Sequence, residues 1–283
     1  MPDSSAPPVP RRPRLPVRLL AAWGDLWIRT FTLLGGVGYL LFDVLTWLHR
    51  TFVRRSVRFG RAAFVSQLVR IGVRSVGIVM LVSASIGLIL ALQMQPPLDE
   101  LGQTDKIANI VGVAVFRELG PLIAAIVLTG FAGASISAEV GTMVVGEEIE
   151  ALEAHALNPV RFLVLPRILA STVSLTLLAA IGDLTAVVFA ALIAVLFLGI
   201  PLELYIDNTL TQLVAMDFVT GLIKAAVFGV ILSAIACYNG LRVTGGAAGV
   251  GRATTDTVVQ TVVSIIIADL IFTALFFALG WTK

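Results

Sequence analysis

Five long apolar runs constrain this chain more than any other feature of its sequence. They lie at about residues 76–95, 107–131, 163–198, 218–238 and 256–280. An α-helix needs about 20 apolar residues to cross a bilayer, and such a segment must satisfy its own backbone hydrogen bonds. The runs therefore predict membrane helices, the first of them ending at Pro96 and Pro97. With 58% hydrophobic and 13% charged residues, we expect an all-α integral membrane protein.

The sequence before the first run has a different character. Residues 1–16 are rich in proline and arginine, which predicts a disordered cytoplasmic tail. Residues 17–75 place apolar side chains at helical spacing between polar ones, as amphipathic helices in the membrane interface do. The alternative is that 31–48 is a sixth span, although it is short and carries Asp43 and three glycines.

The distribution of cations predicts the orientation. More than half of the 20 Lys and Arg residues precede residue 76, so we expect the N-terminus in the cytoplasm. Five spans in the permease domain, 76–283, then place loops 132–162 and 239–255 in the cytoplasm and the C-terminus outside. A sixth span at 31–48 would put a basic cluster outside, which favours five.

One cytoplasmic segment is strongly acidic. No Lys or Arg occurs between Arg117 and Arg161. Because the inner leaflet is negatively charged and repels carboxylates, a helix within 135–162 is expected to face protein. We interpret it as a coupling helix that takes mechanical input from a soluble motor, the alternative being a solvated surface helix. The candidate coupling residues are Glu139, Gly141, Glu147, Glu148 and Glu150.

Four ionisable residues lie deep in the predicted spans: Arg117, Glu118, Lys224 and Asp269. Charges at that depth normally pair with one another or face water. The depths make the pairs Arg117–Asp269 and Glu118–Lys224 feasible, with Asp183 a weaker member. Two interpretations remain open: a structural network that locks the helices together, and a site that faces a lipid headgroup or changes partners during a transport cycle.

Two apparent sites are rejected on chemical grounds. The sequence GGAAGVGRAT resembles a phosphate-binding loop, but Arg252 and Ala253 replace its lysine and hydroxyl residue. We therefore expect no ATPase site in this chain, so energy must come from a partner. The two histidines are far apart, which argues against a metal site, and no feature indicates nucleic-acid binding.

Three motifs, in order, resemble the MlaE (YrbE-type) permeases, which are membrane subunits of ABC transporters that move phospholipids or other lipids between membranes. They are RELGPLIAAIVLTG, AEVGTMVVGEEIEALEAHALNPVRFLVLPRILA and GGAAGVGRATTDTVVQTVVSIIIADLIFTALFF. The resemblance covers roughly residues 60–280. It departs at Phe131, where many relatives have an arginine, and the tail 1–16 has no recognised counterpart.

The resemblance implies a set of partners. It predicts a homodimer in the bacterial inner membrane, a cytoplasmic ATPase that carries ATP and magnesium, and a periplasmic MCE-domain hexamer. It also assigns the acidic segment to ATPase coupling.

A lipid substrate requires an apolar wall beside a few polar groups. We expect the outer part of the first span and the start of the second to supply it, although the same stripe could be dimer packing. The candidate lipid-contact residues are Leu90, Gln93, Met94, Leu98, Leu119 and Leu122.

Two other function classes make different demands on the sequence. An ion- or proton-coupled secondary transporter could use Glu118, Lys224 and Asp269 as a relay. It would be expected to carry an internal repeat, which the sequence lacks. A non-transporting scaffold would need neither buried charges nor an acidic coupling segment.

Overall fold

The computed structural model describes residues 15–53 and 60–281, and the described part contains helices and connecting turns but no strand. The tail predicted at 1–16 lies outside this range except for its last two residues, which open the first helix. The α-helices are α1 Leu15–Phe52, α2 Arg61–Ile71, α3 Val76–Glu100, α4 Ile107–Ala114, α5 Gly120–Leu128, α6 Ala134–Val145, α7 Glu148–Ala154, α8 Leu165–Leu196, α9 Leu202–Gln212, α10 Ala215–Leu241 and α11 Gly246–Ala278.

Several helices join end to end into rods. Six rods in the described part are long and apolar enough to cross a membrane, which confirms the all-α membrane fold. They are Thr30–Thr51, Arg61–Glu100, Thr104–Val145, Val160–Leu196, Ala215–Leu241 and Gly246–Ala278. Short π-helical turns lie within or begin two of them, at Val115–Leu119, Thr129–Gly133 and Val160–Val164.

The first predicted span, 76–95, begins where α3 begins but ends too early. Residues 61–75 belong to the same rod, because α2 continues through a short turn into α3; their interfacial position stays a prediction. Pro96 and Pro97 do not end that rod, which runs to Glu100. Leu98 is buried in the core beside them, and such packing tolerates the backbone groups that proline leaves without partners.

The predicted coupling segment 135–162 is also divided differently. Its first part, α6, belongs to the rod Thr104–Val145, so the second span extends well past residue 131. The rod ends at Gly146, and Glu147 has a left-handed backbone conformation (φ 58°) that redirects the chain into α7. Within this segment, α7 is the helix that belongs to neither membrane rod.

Rods Arg61–Glu100 and Val160–Leu196 run side by side in the same direction. Near their starts Ala63 lies by Phe162, and farther along Gly87 lies against the backbone of Ala186. Because Gly87 has no side chain, the two backbones approach closely, as small residues allow between membrane helices. We name the two ends of the bundle after the short helices that they carry, the α7 end and the α9 end.

Helix α1 lies across the α7 end. The Tyr238 hydroxyl, close to the last turn of α10, donates to the carbonyl oxygen of Thr32 at 3.2 Å. The guanidinium carbon of Arg161, at the start of its rod, lies 5.7 Å from the centre of the Trp47 ring. Thr32 and Trp47 are about 22 Å apart along the helix, yet both contact the same end of the bundle. The helix therefore runs across the bundle axis, burying Leu40 and Val44 in the core.

Candidate functional site

A buried lysine organises a charge cluster at the centre of three helices. Lys224 on α10 is 1% exposed, and its Nζ lies 2.5 Å from Glu118 Oε2 and 2.9 Å from Asp269 Oδ1. It also donates to the Thr273 hydroxyl at 2.8 Å. A single cation therefore faces two carboxylates, and the three charged side chains carry a formal net charge of −1.

The threonine closes this network. Its Oγ1 lies 3.0 Å from Glu118 Oε1 and 2.9 Å from the carbonyl oxygen of Asp269, one helical turn earlier. Lys224 and Glu118 each have more than one polar neighbour, whereas the Asp269 carboxylate relies on Lys224. We call Lys224, Glu118, Asp269 and Thr273 the lysine cluster.

Local backbone geometry explains why adjacent Arg117 and Glu118 find different partners. Both lie in the π-helical turn Val115–Leu119, a feature that often occurs at functional sites. Arg117 Nε lies 2.5 Å from Asp217 Oδ1, seven residues before Lys224 on the same face of α10. Between them, Gly221 lets the α10 backbone approach the carbonyl of Phe116. The turn therefore sets its two charges against positions two turns apart on one helix face.

The sequence predicted one of these pairs correctly and one wrongly. Glu118–Lys224 is present, whereas Arg117 pairs with Asp217 and not with Asp269. Asp217 was missed because it was placed in a loop, but its spacing from Lys224 could have indicated it. Asp183 is buried against α5 at Gly120 and makes no ion pair with the described residues.

A second charge cluster lies nearer the α7 end. Glu139 on α6 accepts ion pairs from Arg70 on α2, at 2.6 Å, and Arg167 on α8, at 3.2 Å. Arg70 also donates to Ser135 at 3.0 Å, and Arg167 donates to the carbonyl oxygen of Leu163 at 2.8 Å. We call Glu139, Arg70 and Arg167 the glutamate cluster. Neither arginine was predicted as a partner, because the sequence places them far from Glu139.

The candidate coupling residues fall into two groups. Glu139 belongs to the glutamate cluster, and Gly141 is buried against Val243. By contrast, Glu147, Glu148 and Glu150 are exposed on or beside α7 and form no ion pair within the described residues. Ile149 packs against the core and holds this helix to the bundle. The α7 end therefore presents an acidic helix whose glutamates are exposed.

The candidate lipid residues also separate. Leu98 is buried in a hydrophobic cluster with Ala186 and Ala190 of α8, and Leu90 and Met94 pack against the same cluster. Leu98 additionally lines a cleft of about 580 Å³ at the α9 end, between the end of α3 and helix α4. The cleft's other lining residues are Gln103, Lys106, Asn109, Ile110, Val113, Ala114 and Gln212. Gln93 is exposed, and Leu119 and Leu122 are half-buried.

These features define a multi-pass α-helical membrane protein with buried ion pairs between its spans and an acidic helix at one end. A family model described as the permease MlaE matches residues 64–275. The chain belongs to this family of ABC transporter permeases.

Individual relatives agree with this assignment. A probable ABC transporter permease protein of Rickettsia prowazekii is 38% identical over 213 residues, covering 75% of this chain and 82% of the relative. The chloroplastic TRIGALACTOSYLDIACYLGLYCEROL 1 protein of Arabidopsis thaliana is 35% identical over 213 residues, covering 75% of this chain and 61% of the relative. The intermembrane phospholipid transport system permease protein MlaE of Haemophilus influenzae is 29% identical over 265 residues, covering 93% of this chain and 99% of the relative.

Proposed function

We propose that this chain is the membrane subunit of a transporter that moves phospholipid between two membranes, driven by a separate cytoplasmic ATPase. The observation that carries the proposal is α7, a short acidic helix anchored by Ile149 and joined to two membrane rods. Force applied to α7 would pass directly into the rods Thr104–Val145 and Val160–Leu196. The name of the Haemophilus influenzae relative supports phospholipid as the substrate.

The charge distribution supports an orientation for this arrangement. Arg50, Arg161 and Arg242 lie at the α7 end, and cytoplasmic loops are enriched in such cations. We place the α7 end in the cytoplasm and the α9 end in the periplasm, in a bacterial inner membrane. Helix α1, lying across the α7 end with Trp27 and Phe42 exposed, then occupies the inner interface. Five rods cross the membrane in this arrangement.

The substrate path is proposed at the α9 end. The cleft beside Leu98 combines apolar residues with Lys106, whose ammonium could pair with a lipid phosphate. In a homodimer, two such clefts would lie on either side of a two-fold axis, below a periplasmic MCE-domain partner. The lysine cluster lies deeper in the same spans, where it positions helices α10 and α11 against the π-helical turn.

Charge reversal on α7 tests ATPase coupling. Replacing Glu147, Glu148 and Glu150 with Lys should release the copurifying ATPase while leaving the permease folded, because these side chains make no ion pairs with the described residues. The matched control reverses Glu203 and Asp207, two exposed carboxylates at the α9 end, and should leave ATPase binding unchanged.

Wild-type ATPase yield with the α7 triple variant would contradict the assignment. A secondary transporter, by contrast, would keep moving lipid after the ATPase is removed and would stop when the proton gradient is collapsed.

A further inference from the structure

A second apolar cleft lies on the other side of α9. It has a volume of about 420 Å³ and is formed by the last turns of α8 and one face of α9. Its lining includes Ala191, Leu192, Leu196, Leu202, Tyr205 and Ile206. Val188, Leu192 and Leu196 are exposed along one side of a membrane rod, so this cleft opens toward the bilayer.

One polar side chain at the cleft has no partner. Tyr205 is 1% exposed, and its hydroxyl oxygen is buried without a hydrogen bond to the described residues. Buried tyrosine hydroxyls usually bond to something, because an unpaired buried polar group costs free energy. Burial raises the pKa of Tyr205 to about 12, so the group remains a donor. It calls for an acceptor from outside the described residues.

The size of the cleft suits an acyl chain. The 420 Å³ cleft is about fourteen times the ~30 Å³ share of one water molecule, and a methylene group has a similar size. An acyl chain of ordinary length therefore fills it, with its ester carbonyl as the acceptor for Tyr205.

The charges nearby favour one kind of headgroup. Glu203 and Asp207 follow the cleft-lining Leu202 and Ile206 by one position on α9, and both are exposed. Neither forms an ion pair with the described residues. They would repel an anionic headgroup and attract an amine, so charge complementarity points to a lipid with an ethanolamine headgroup.

We propose that the cleft between α8 and α9 is a binding site for one acyl chain of an ethanolamine phospholipid, held by a hydrogen bond from Tyr205. This site is separate from the cleft beside Leu98. It depends on the chain lying in a membrane, not on the transport proposal, so failure of either one leaves the other standing.

The first test locates the lipid. The full-length permease is placed in nanodiscs containing equal amounts of phosphatidylethanolamine and phosphatidylglycerol, with a photo-crosslinking residue at Leu192. The control position is Leu270, an exposed residue of α11. We expect more lipid adduct at Leu192 than at Leu270, and mainly with phosphatidylethanolamine. Equal labelling at both positions, or a polypeptide adduct, would overturn the site.

The second test measures retention after exchange into detergent, by mass spectrometry of the bound lipid. Ala191→Trp should fill the cleft and abolish retention, whereas the control Leu184→Trp, on an exposed part of α8 outside the cleft, should not. Tyr205→Phe should weaken retention about fivefold, the effect of one hydrogen bond. Unchanged retention in both Ala191→Trp and Tyr205→Phe would overturn the proposal.

Replacing Glu203 with Gln and Asp207 with Asn tests the headgroup. Preference for phosphatidylethanolamine should disappear while total retention stays similar. Equal retention of the two lipids by the unmodified protein would overturn the ethanolamine assignment.

Discussion

The two charge clusters have opposite composition. The lysine cluster sets one cation between two carboxylates, and the glutamate cluster sets one carboxylate between two arginines. Each cluster joins three segments that are distant in sequence. Their central residues differ in exposure: Lys224 is 1% exposed, whereas Glu139 is 28% exposed.

This difference follows from their positions along the bundle. Lys224 lies in the interior of its rod, where a charge has few alternatives to its protein partners. Glu139 and Arg167 lie within about two turns of the ends of their rods, and Arg70 and Glu139 are 39% and 28% exposed, so water can replace a lost partner. The deeper cluster should therefore be the more costly to break, although each contains two ion pairs.

The largest effect is expected from Lys224→Met. It leaves Glu118 and Asp269 facing each other without a cation, which should cost about 2–3 kcal/mol, since water reaches the 36% exposed Glu118, and lower the melting temperature in detergent by roughly 8 °C. The matched control is Lys106→Met, an exposed lysine at the α9 end. Adding Glu118→Gln to Lys224→Met should restore part of the loss. A melting temperature equal to that of the control would refute the comparison.

A smaller effect is expected from Glu139→Gln. The substitution leaves Arg70 and Arg167 without their shared anion, but the partly exposed site should limit the loss to about 1–2 kcal/mol. Thermal unfolding monitored by circular dichroism would measure it, with Glu150→Gln on α7 as a control expected to have no effect. If Glu139→Gln destabilises the protein more than Lys224→Met, depth does not decide the cost.

The smallest effect is expected outside both clusters, at the bend between α6 and α7. Glu147 adopts a left-handed backbone conformation (φ 58°), which costs a residue with a side chain about 1–2 kcal/mol, and the greater unfolded-state entropy of glycine cancels about 0.4–1 kcal/mol of the gain. Glu147→Gly should therefore raise the melting temperature slightly. The neighbouring Glu148→Gly should lower it, because Glu148 is helical and glycine disfavours helix. The same sign for both substitutions would contradict this explanation.

Much of the membrane architecture could be read from the sequence. The apolar runs predicted membrane helices, and the motifs beginning at Arg117, Ala138 and Gly245 identified the family that the comparison with known proteins confirmed. The pair Glu118–Lys224 was predicted because few ionisable residues occur in the spans, so the number of possible partners was small.

The boundaries and several partners could not be read in this way. Hydropathy marks where a helix is apolar, but it does not show that α6 continues the second span or that α2 precedes the first in one rod. Asp217 and Arg70 lie near polar ends of helices, where many charges are solvated, so their sequence positions carried little information about pairing.

Composition and local pattern determined that this chain forms membrane helices, because a backbone surrounded by lipid has few ways to satisfy its hydrogen bonds. They also determined the acidic character of α7, which depends only on residue identity. Tertiary structure alone decided that Arg117 meets Asp217, that Glu139 faces two arginines, and that Tyr205 borders an apolar cleft. These contacts depend on how rods pack in three dimensions, where residues about 100 positions apart, such as Arg117 and Asp217, come within 2.5 Å.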